Sequence, residues 1–185
     1  MATQYLPDAE VAELEGWPAE SSRSDLVTFF ELSGGEIRWI RSHRSEPNQL
    51  AFGVRIGALR FLGFIPDLAV TPKEAVAHVA AQLEVPVGAL GDYLAISSER
   101  SRRQHAAEVI EWIGWSQAQA GEWKALSDWL VDRALEHDAP SVLFRQALAH
   151  LRTEKIVRPG LDRLMRAVAT ARETAVVELH RMVQP

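Results

Sequence analysis

The sequence predicts an all-α fold: two helical subdomains, 1–66 and 67–185, with helix-turn-helix-like hairpins and a long C-terminal helix. Three observations carry that expectation. Runs rich in Ala, Leu, Glu and Arg, all good helix formers, recur between Pro and Gly punctuation. Along most of them apolar residues return at spacings of three and four. Two-residue alternation is scarce, and "VTFFEL" at 27–32 is the one strand-like stretch.

The first firm helix start is "SGGE", where Ser33 can cap and Glu36 can reach back in a capping box. Ile37, Trp39 and Ile40 then supply apolar contacts, Arg38 and Arg41 face elsewhere, and the helix is expected to stop near Ser45. Pro47 suits the first turn of a second helix that runs to about Leu62 and is closed by Gly63 and Pro66. Gly53, Gly57 and Ala58 give it a small face for close helix approach. Two helices on a short turn, the second heavily buried, form a helix-turn-helix pattern. "IPDLAVTP" reads as the linker between subdomains, and Thr71, Pro72 and Glu74 offer a second capping box.

Val76, Val79, Ala80 and Leu83 form the apolar stripe of the next helix, and Leu90, Tyr93 and Leu94 continue the core after "VPVGAL". In "SSERSRRQHAAEVIEWIGW", Ser97 or Ser98 can cap a helix that carries Arg100, Arg102 and Arg103 in its first turns. Cations there oppose the helix dipole by about 0.3–1 kcal/mol each. They call for an external anion or for pairing with Glu99 or Glu108. A long helix over 118–137 aligns Trp123, Leu126, Trp129, Leu130 and Ala134 as a core stripe. "HDAP" breaks it, Val142 to Arg152 is helical again, and "KIVRPG" is a turn with basic flanks. Pro159 opens a final helix through about Met182, whose seam of Leu161, Leu164, Val168, Ala171, Ala175, Leu179 and Met182 is spaced like a coiled-coil face.

Composition narrows the function classes. With 47% hydrophobic and 24% charged residues over 185 positions, the chain is of ordinary globular make-up. The absence of cysteine excludes disulfides and thiolate metal sites and is compatible with a reducing cytosol. The N-terminus lacks the basic residues and apolar run of a signal peptide. The greasiest stretch, Leu50 to Ile65, is interrupted by Arg55 and Arg60 and is shorter than the ~20 residues of a membrane span, so no membrane partner is expected. Six histidines without HxxxH spacing, and no Gly-rich phosphate loop or nucleophile elbow, point to no metal, no cofactor and no catalytic residue. Acid pairs such as Asp128 and Asp132 read as exposed helix turns.

The net charge of −5 argues against a nucleic-acid partner, but the distribution is a mosaic. Residues 1–32 carry a net −6, residues 36–60 a net +3 and residues 145–172 a net +5, the basic blocks being mostly arginine. Arginine is the better fork for phosphates and base edges. The competing reading is that such blocks are solvated helix faces.

The ordered series of residues resembles the N-terminal region of class II replicative transposases, the Tn-three family. Those proteins show a Leu followed by Ser or Thr, an arginine-rich helix, and then a pattern met here by Asn48, Leu50, Phe52, Leu59, Arg60 and Gly63, after Leu32-Ser33, Arg38, Arg41, His43 and Arg44. A Tyr, an arginine cluster and a His are met by Tyr93, Arg100, Arg103 and His105, and the stretch from Trp129 to Ala175 is similar throughout. One departure is Arg55-Ile56-Gly57, where many members have Gln-Leu-Cys. The resemblance implies tandem helix-turn-helix units that grip the terminal inverted repeats during replicative transposition. Cutting would belong to a distant RNase-H-like domain with an Asp-Asp-Glu triad, so this chain is expected to bind DNA without catalysis.

On that reading the partner is double-stranded DNA at transposon ends, with a homodimer of the full transposase and a bacterial, nucleoid-associated cytoplasmic setting as further expectations. Arg38, Arg41, His43 and Arg44 would contact DNA beside the first hairpin, Asn48 would read a base, and Arg60 would reach phosphate. Arg55 lies about 140° from Arg60 on a helical wheel and is expected to pair internally with an acid. Arg100, Arg102, Arg103 and His105 form a second patch, Lys155 and Arg158 a third, and the acidic first 32 residues are expected to face away from DNA. The competing class is a non-catalytic helical scaffold or protein-interaction module.

Overall fold

A computed structural model describes residues 6–18, 22–137 and 139–183. Among them are ten α-helices: α1 (Asp8–Glu15), α2 (Arg23–Phe30), α3 (Gly34–Arg41), α4 (Glu46–Leu62), α5 (Lys73–Leu83), α6 (Ala89–Ile96), α7 (Glu99–Trp112), α8 (Ala120–Glu136), α9 (Pro140–Thr153) and α10 (Leu161–Val183). A 3-10 turn spans Leu68–Val70, and β1 (Ser116–Gln117) pairs in parallel with β2 (Ile156–Val157). The fold is all-α, as expected.

The helices gather into two compact units, residues 16–115 and residues 1–15 with 116–185. In the first, α4 is the core. Every residue from Leu50 to Leu59 is buried, and α2, α3, α5, α6 and α7 all pack on it. Ser45 caps its start, its Oγ accepting the Asn48 N–H at 3.4 Å, and Gly63 closes it at φ 78°. Close approach is built into the sequence. A Cβ on Gly57 would overlap the Phe30 ring, and one on Gly53 would lie 2.6 Å from Val79 Cγ1.

This placement explains where the expected subdomain boundary fails. α2 and α3 cover only part of α4, and α5–α7 must cover the rest. Phe30, Leu50, Val79, Tyr93 and Val109 therefore share one core. The division expected between residues 66 and 67 falls inside this unit. Two local expectations also change. "VTFFEL" is not a strand: its residues up to Phe30 belong to α2, which a Ser22–Asp25 capping box starts and which buries Phe30. The capping box at Thr71 does not form, because Thr71 ends the 3-10 turn, its N–H donating to the Leu68 carbonyl, and Pro72 is the N-cap of α5. The box at Ser33 does form, with Glu36 accepting the Ser33 N–H at 2.7 Å.

The second unit buries one stripe from each of its longer helices. Leu126 and Leu130 of α8, Leu143, Phe144, Ala147 and Leu151 of α9, and Leu161, Leu164, Val168 and Ala171 of α10 make its core. The α10 seam is buried through Ala175, but Leu179 and Met182 are 45% and 73% exposed. Trp123 and Trp129 are half-buried rather than core: the Arg163 guanidinium lies 4.0 Å over the Trp123 ring, and Trp129 stacks on His150 at 4.3 Å. Lys155, in the left-handed region at φ 54°, turns the chain into β2, and its carbonyl accepts the Ser116 N–H at 3.0 Å.

Candidate nucleic-acid interface

The cations predicted to meet DNA divide into those the fold turns inward and those it presents. Arg60 is inward: its guanidinium pairs with the buried Glu36 carboxylate and donates to the Glu31 carbonyl at 3.2 Å. Glu36 therefore caps α3 with one oxygen and holds Arg60 with the other. His43 is inward too. Its ring stacks on Phe52 at 4.0 Å, Nδ1 lies 3.1 Å from the Ile40 carbonyl, and Nε2 lies 3.1 Å from Glu108. Arg102 donates to the Ser97 hydroxyl at 2.9 Å and to the Leu94 carbonyl at 2.5 Å, so it ties α7 to the end of α6.

Arg55 is buried, but not against an acid. Its Nη2 donates to the Tyr93 hydroxyl at 2.8 Å and its Nη1 to the Ala51 carbonyl at 3.3 Å, with the Tyr93 ring 5.0 Å away. The Tyr93 oxygen lies 3.0 Å from His105 Nδ1. Tyr93 thus accepts from Arg55 and lies within hydrogen-bond distance of the His105 ring nitrogen, where a neutral Nδ1 can accept the phenol hydrogen. Burial, reinforced by the Arg55 charge, holds His105 below its usual pKa, consistent with that arrangement. His105 is thus engaged internally, with its ring half-buried beside Tyr93.

Four groups remain outward in this unit without such internal anchoring. Arg38, Arg44 and Arg100 are exposed, with no carboxylate partner among the described residues. Arg103 pairs with Glu99 one turn away, but both side chains are 77% exposed. Arg41 is intermediate, 3.4 Å from both the exposed Glu84 carboxylate and the Leu83 carbonyl. Exposed pairs of this kind are worth roughly 0–1 kcal/mol, so a phosphate can compete for the arginine. Asn48 sits half-buried in the first turn of α4.

In the second unit Lys155 is exposed, whereas Arg158 is inward, donating to the Leu14 carbonyl at 3.0 Å. Burial pulls the Arg158 guanidinium down to about 10, with Glu15 opposing the shift. Acidic residues of the N-terminal segment are occupied within each unit, Glu10 by Arg145 and Glu31 by His78.

α4 cannot be a recognition helix, because its middle has no exposed face. α7 has one. Arg100, Arg103, Gln104 and Ala107 fall at helical spacing on its exposed side, while Val109 and Ile110 anchor the other. Gln104 was missed from sequence, although its spacing of four from Arg100 was available. α3 and α7 are held side by side by a Trp39–Trp112 stack at 4.3 Å and by His43–Glu108. Arg100 lies twelve residues before Trp112, roughly 18 Å along the helix axis. Arg100 and Arg103 lie in the first turns of α7, and Arg38 and Arg44 lie on and just after the α3 that packs on its later turns.

Residues 5–171 match the family described as Domain of unknown function (DUF4158). The chain is 28% identical over 151 residues to the transposase for transposon Tn21 of Escherichia coli, covering 81% of this chain and 15% of that protein. It is 27% identical over 168 residues to the transposase for transposon Tn501 of Pseudomonas aeruginosa (89% and 17%). Over 180 residues it is 27% identical to the transposase for transposon gamma-delta of Escherichia coli strain K12 (95% and 18%). The chain thus spans about a sixth of the length of the curated relatives it matches.

Proposed function

The chain belongs to the DUF4158 family, and from that membership and its similarity to transposases we propose that it is a DNA-gripping part of a transposase. In this reading it recognises the terminal inverted repeats of a transposon, and the chemistry of cutting and joining lies elsewhere in the protein. The observation that carries it is the outward face of α7, where Arg100, Arg103, Gln104 and Ala107 are exposed together.

That face has the composition of a groove reader. Arg forks the N7 and O6 of guanine, Gln pairs with adenine, and Ala contacts the thymine methyl. Recognition helices present their N-terminal residues to base edges, which is where these lie on α7. Arg38 and Arg44, on and just after the α3 that flanks the far end of α7, would contact backbone. Arg41 and Lys155 are secondary phosphate contacts, and Asn48 a weaker base contact.

A gel-shift titration with a cognate inverted repeat and a scrambled duplex of equal length tests the proposal. The expected outcome is tighter binding to the repeat by about 10³-fold or more, the lower bound for specific recognition. Equal affinity for the two duplexes would support the scaffold reading. That reading is favoured by the apolar side chains exposed at the end of α10, Leu179 and Met182.

A further inference from the structure

Among the described residues, neither Arg55 nor Arg102 forms an ion pair with a carboxylate. Arg55 is 3% exposed, its Nε is buried with no hydrogen-bond partner, and both its other contacts are to neutral oxygens. Among the described residues Arg102 donates to a hydroxyl and a carbonyl. A buried guanidinium is normally matched by a carboxylate, since burying a charge without one is costly.

Both arginines line one cavity of about 460 Å³, together with Arg103 and the apolar side chains of Ile65, Leu68 and Leu94. Two carboxylates also line it, but each is engaged: Asp67 accepts the Ala69 N–H at 3.0 Å, and Glu99 pairs with Arg103. The wall therefore carries one positive charge more than it neutralises. Burial and the neighbouring Arg102 charge both disfavour the charged form of Arg55, which is the strain an anion would relieve. Apolar walls strengthen such an attraction by lowering the local dielectric.

We propose that this cavity binds a phosphate group, cradled between the guanidinium groups of Arg55 and Arg102. Guanidinium groups bind phosphate through paired N–H donors, and each Arg55 Nη keeps a second N–H beyond the one it gives to Ala51 or Tyr93. The phosphate belongs either to a nucleic-acid backbone or to a free phosphate monoester. The cavity shares Arg103 with the outward face of α7, but its cradle is Arg55 and Arg102, so it stands whether or not that face reads inverted repeats.

The test is thermal unfolding of the full chain in sodium phosphate against sodium chloride at equal ionic strength. At roughly five to ten times its dissociation constant, phosphate should raise Tm by about 2–5 °C. Arg102→Gln, a half-buried change, should abolish the rise, and Arg55→Gln should do the same. No rise in the parent chain, or a rise that survives in Arg102→Gln, overturns the proposal. Duplex affinity of Arg102→Gln then assigns the source. A salt slope lower by about 0.9 places a backbone phosphate in the cavity, and an unchanged slope assigns it to a free monoester.

Discussion

The unit of residues 16–115 and the unit of residues 1–15 with 116–185 are both helical, yet they treat charge differently. The buried charged side chains among the described residues, Glu36 and Arg55, both belong to the first. There α4 is covered on every side, so any arginine on it must find its partner inside: Arg60 takes Glu36, and Arg55 takes Tyr93. In the second unit each long helix buries a stripe, and Arg145, Arg152 and Arg166 remain exposed. A positive block in sequence is therefore poor guidance to a positive surface when the helix that carries it is central.

The comparison can be broken most directly at the glycines. Gly57→Leu pushes into the Phe30 ring and should destabilise the chain by about 3 kcal/mol or more in a denaturant titration. Gly121→Ala, in the second unit with open space around it, should change stability by less than about 0.5 kcal/mol. Similar losses at both positions would refute the claim that only α4 is packed on all sides.

Next in size is the Glu36–Arg60 pair. Arg60→Met leaves a buried carboxylate without its cation and should cost about 1–3 kcal/mol, toward the lower end because Arg60 keeps a 31% exposed side chain. Arg103→Ala, from an exposed pair, should cost no more than about 0.5 kcal/mol. Equal costs would show that the inward and outward arginines are not distinct classes.

In the second unit, Lys155→Gly should stabilise by about 0.5 kcal/mol, because Lys155 holds a left-handed backbone conformation that costs a side-chain-bearing residue and not glycine.

The smallest effect is on pH. His105 titrates below its unfolded value, so the unfolded chain binds the proton first as pH falls. Its contribution is complete above the unfolded pKa near 6.5 and is lost as pH drops through the window below it. His105→Gln should remove that part of the acid limb of Tm, measured against the parent from pH 7.5 to 5.5. An unchanged limb would contradict the Arg55–Tyr93–His105 arrangement.

Local features of this fold were legible in sequence. The Ser33–Glu36 box, the Pro47 start, the Gly63 stop and the small residues of α4 are dictated within a few residues of chain. α2 was not, because Val27, Thr28 and Phe29 favour strand locally while its capping box and the burial of Phe30 decide for helix. The two-residue β pair joins segments forty residues apart and is too short to leave a pattern. The site was legible as a set of arginines but not as a surface. Arg60 meets Glu36 from 24 residues away and Arg55 meets Tyr93 from 38 away, and no helical wheel shows such pairings.

The central claim is that the outward face of α7 binds nucleic acid while the inward arginines hold the fold. Its most direct test is the affinity for a cognate inverted repeat, in the parent chain and in the double variant Arg100→Glu, Arg103→Glu. The account predicts affinity lower by about 30-fold or more, from two lost base contacts at about 1–3 kcal/mol each, with Tm nearly unchanged. A folded double variant with the parent's affinity would contradict it.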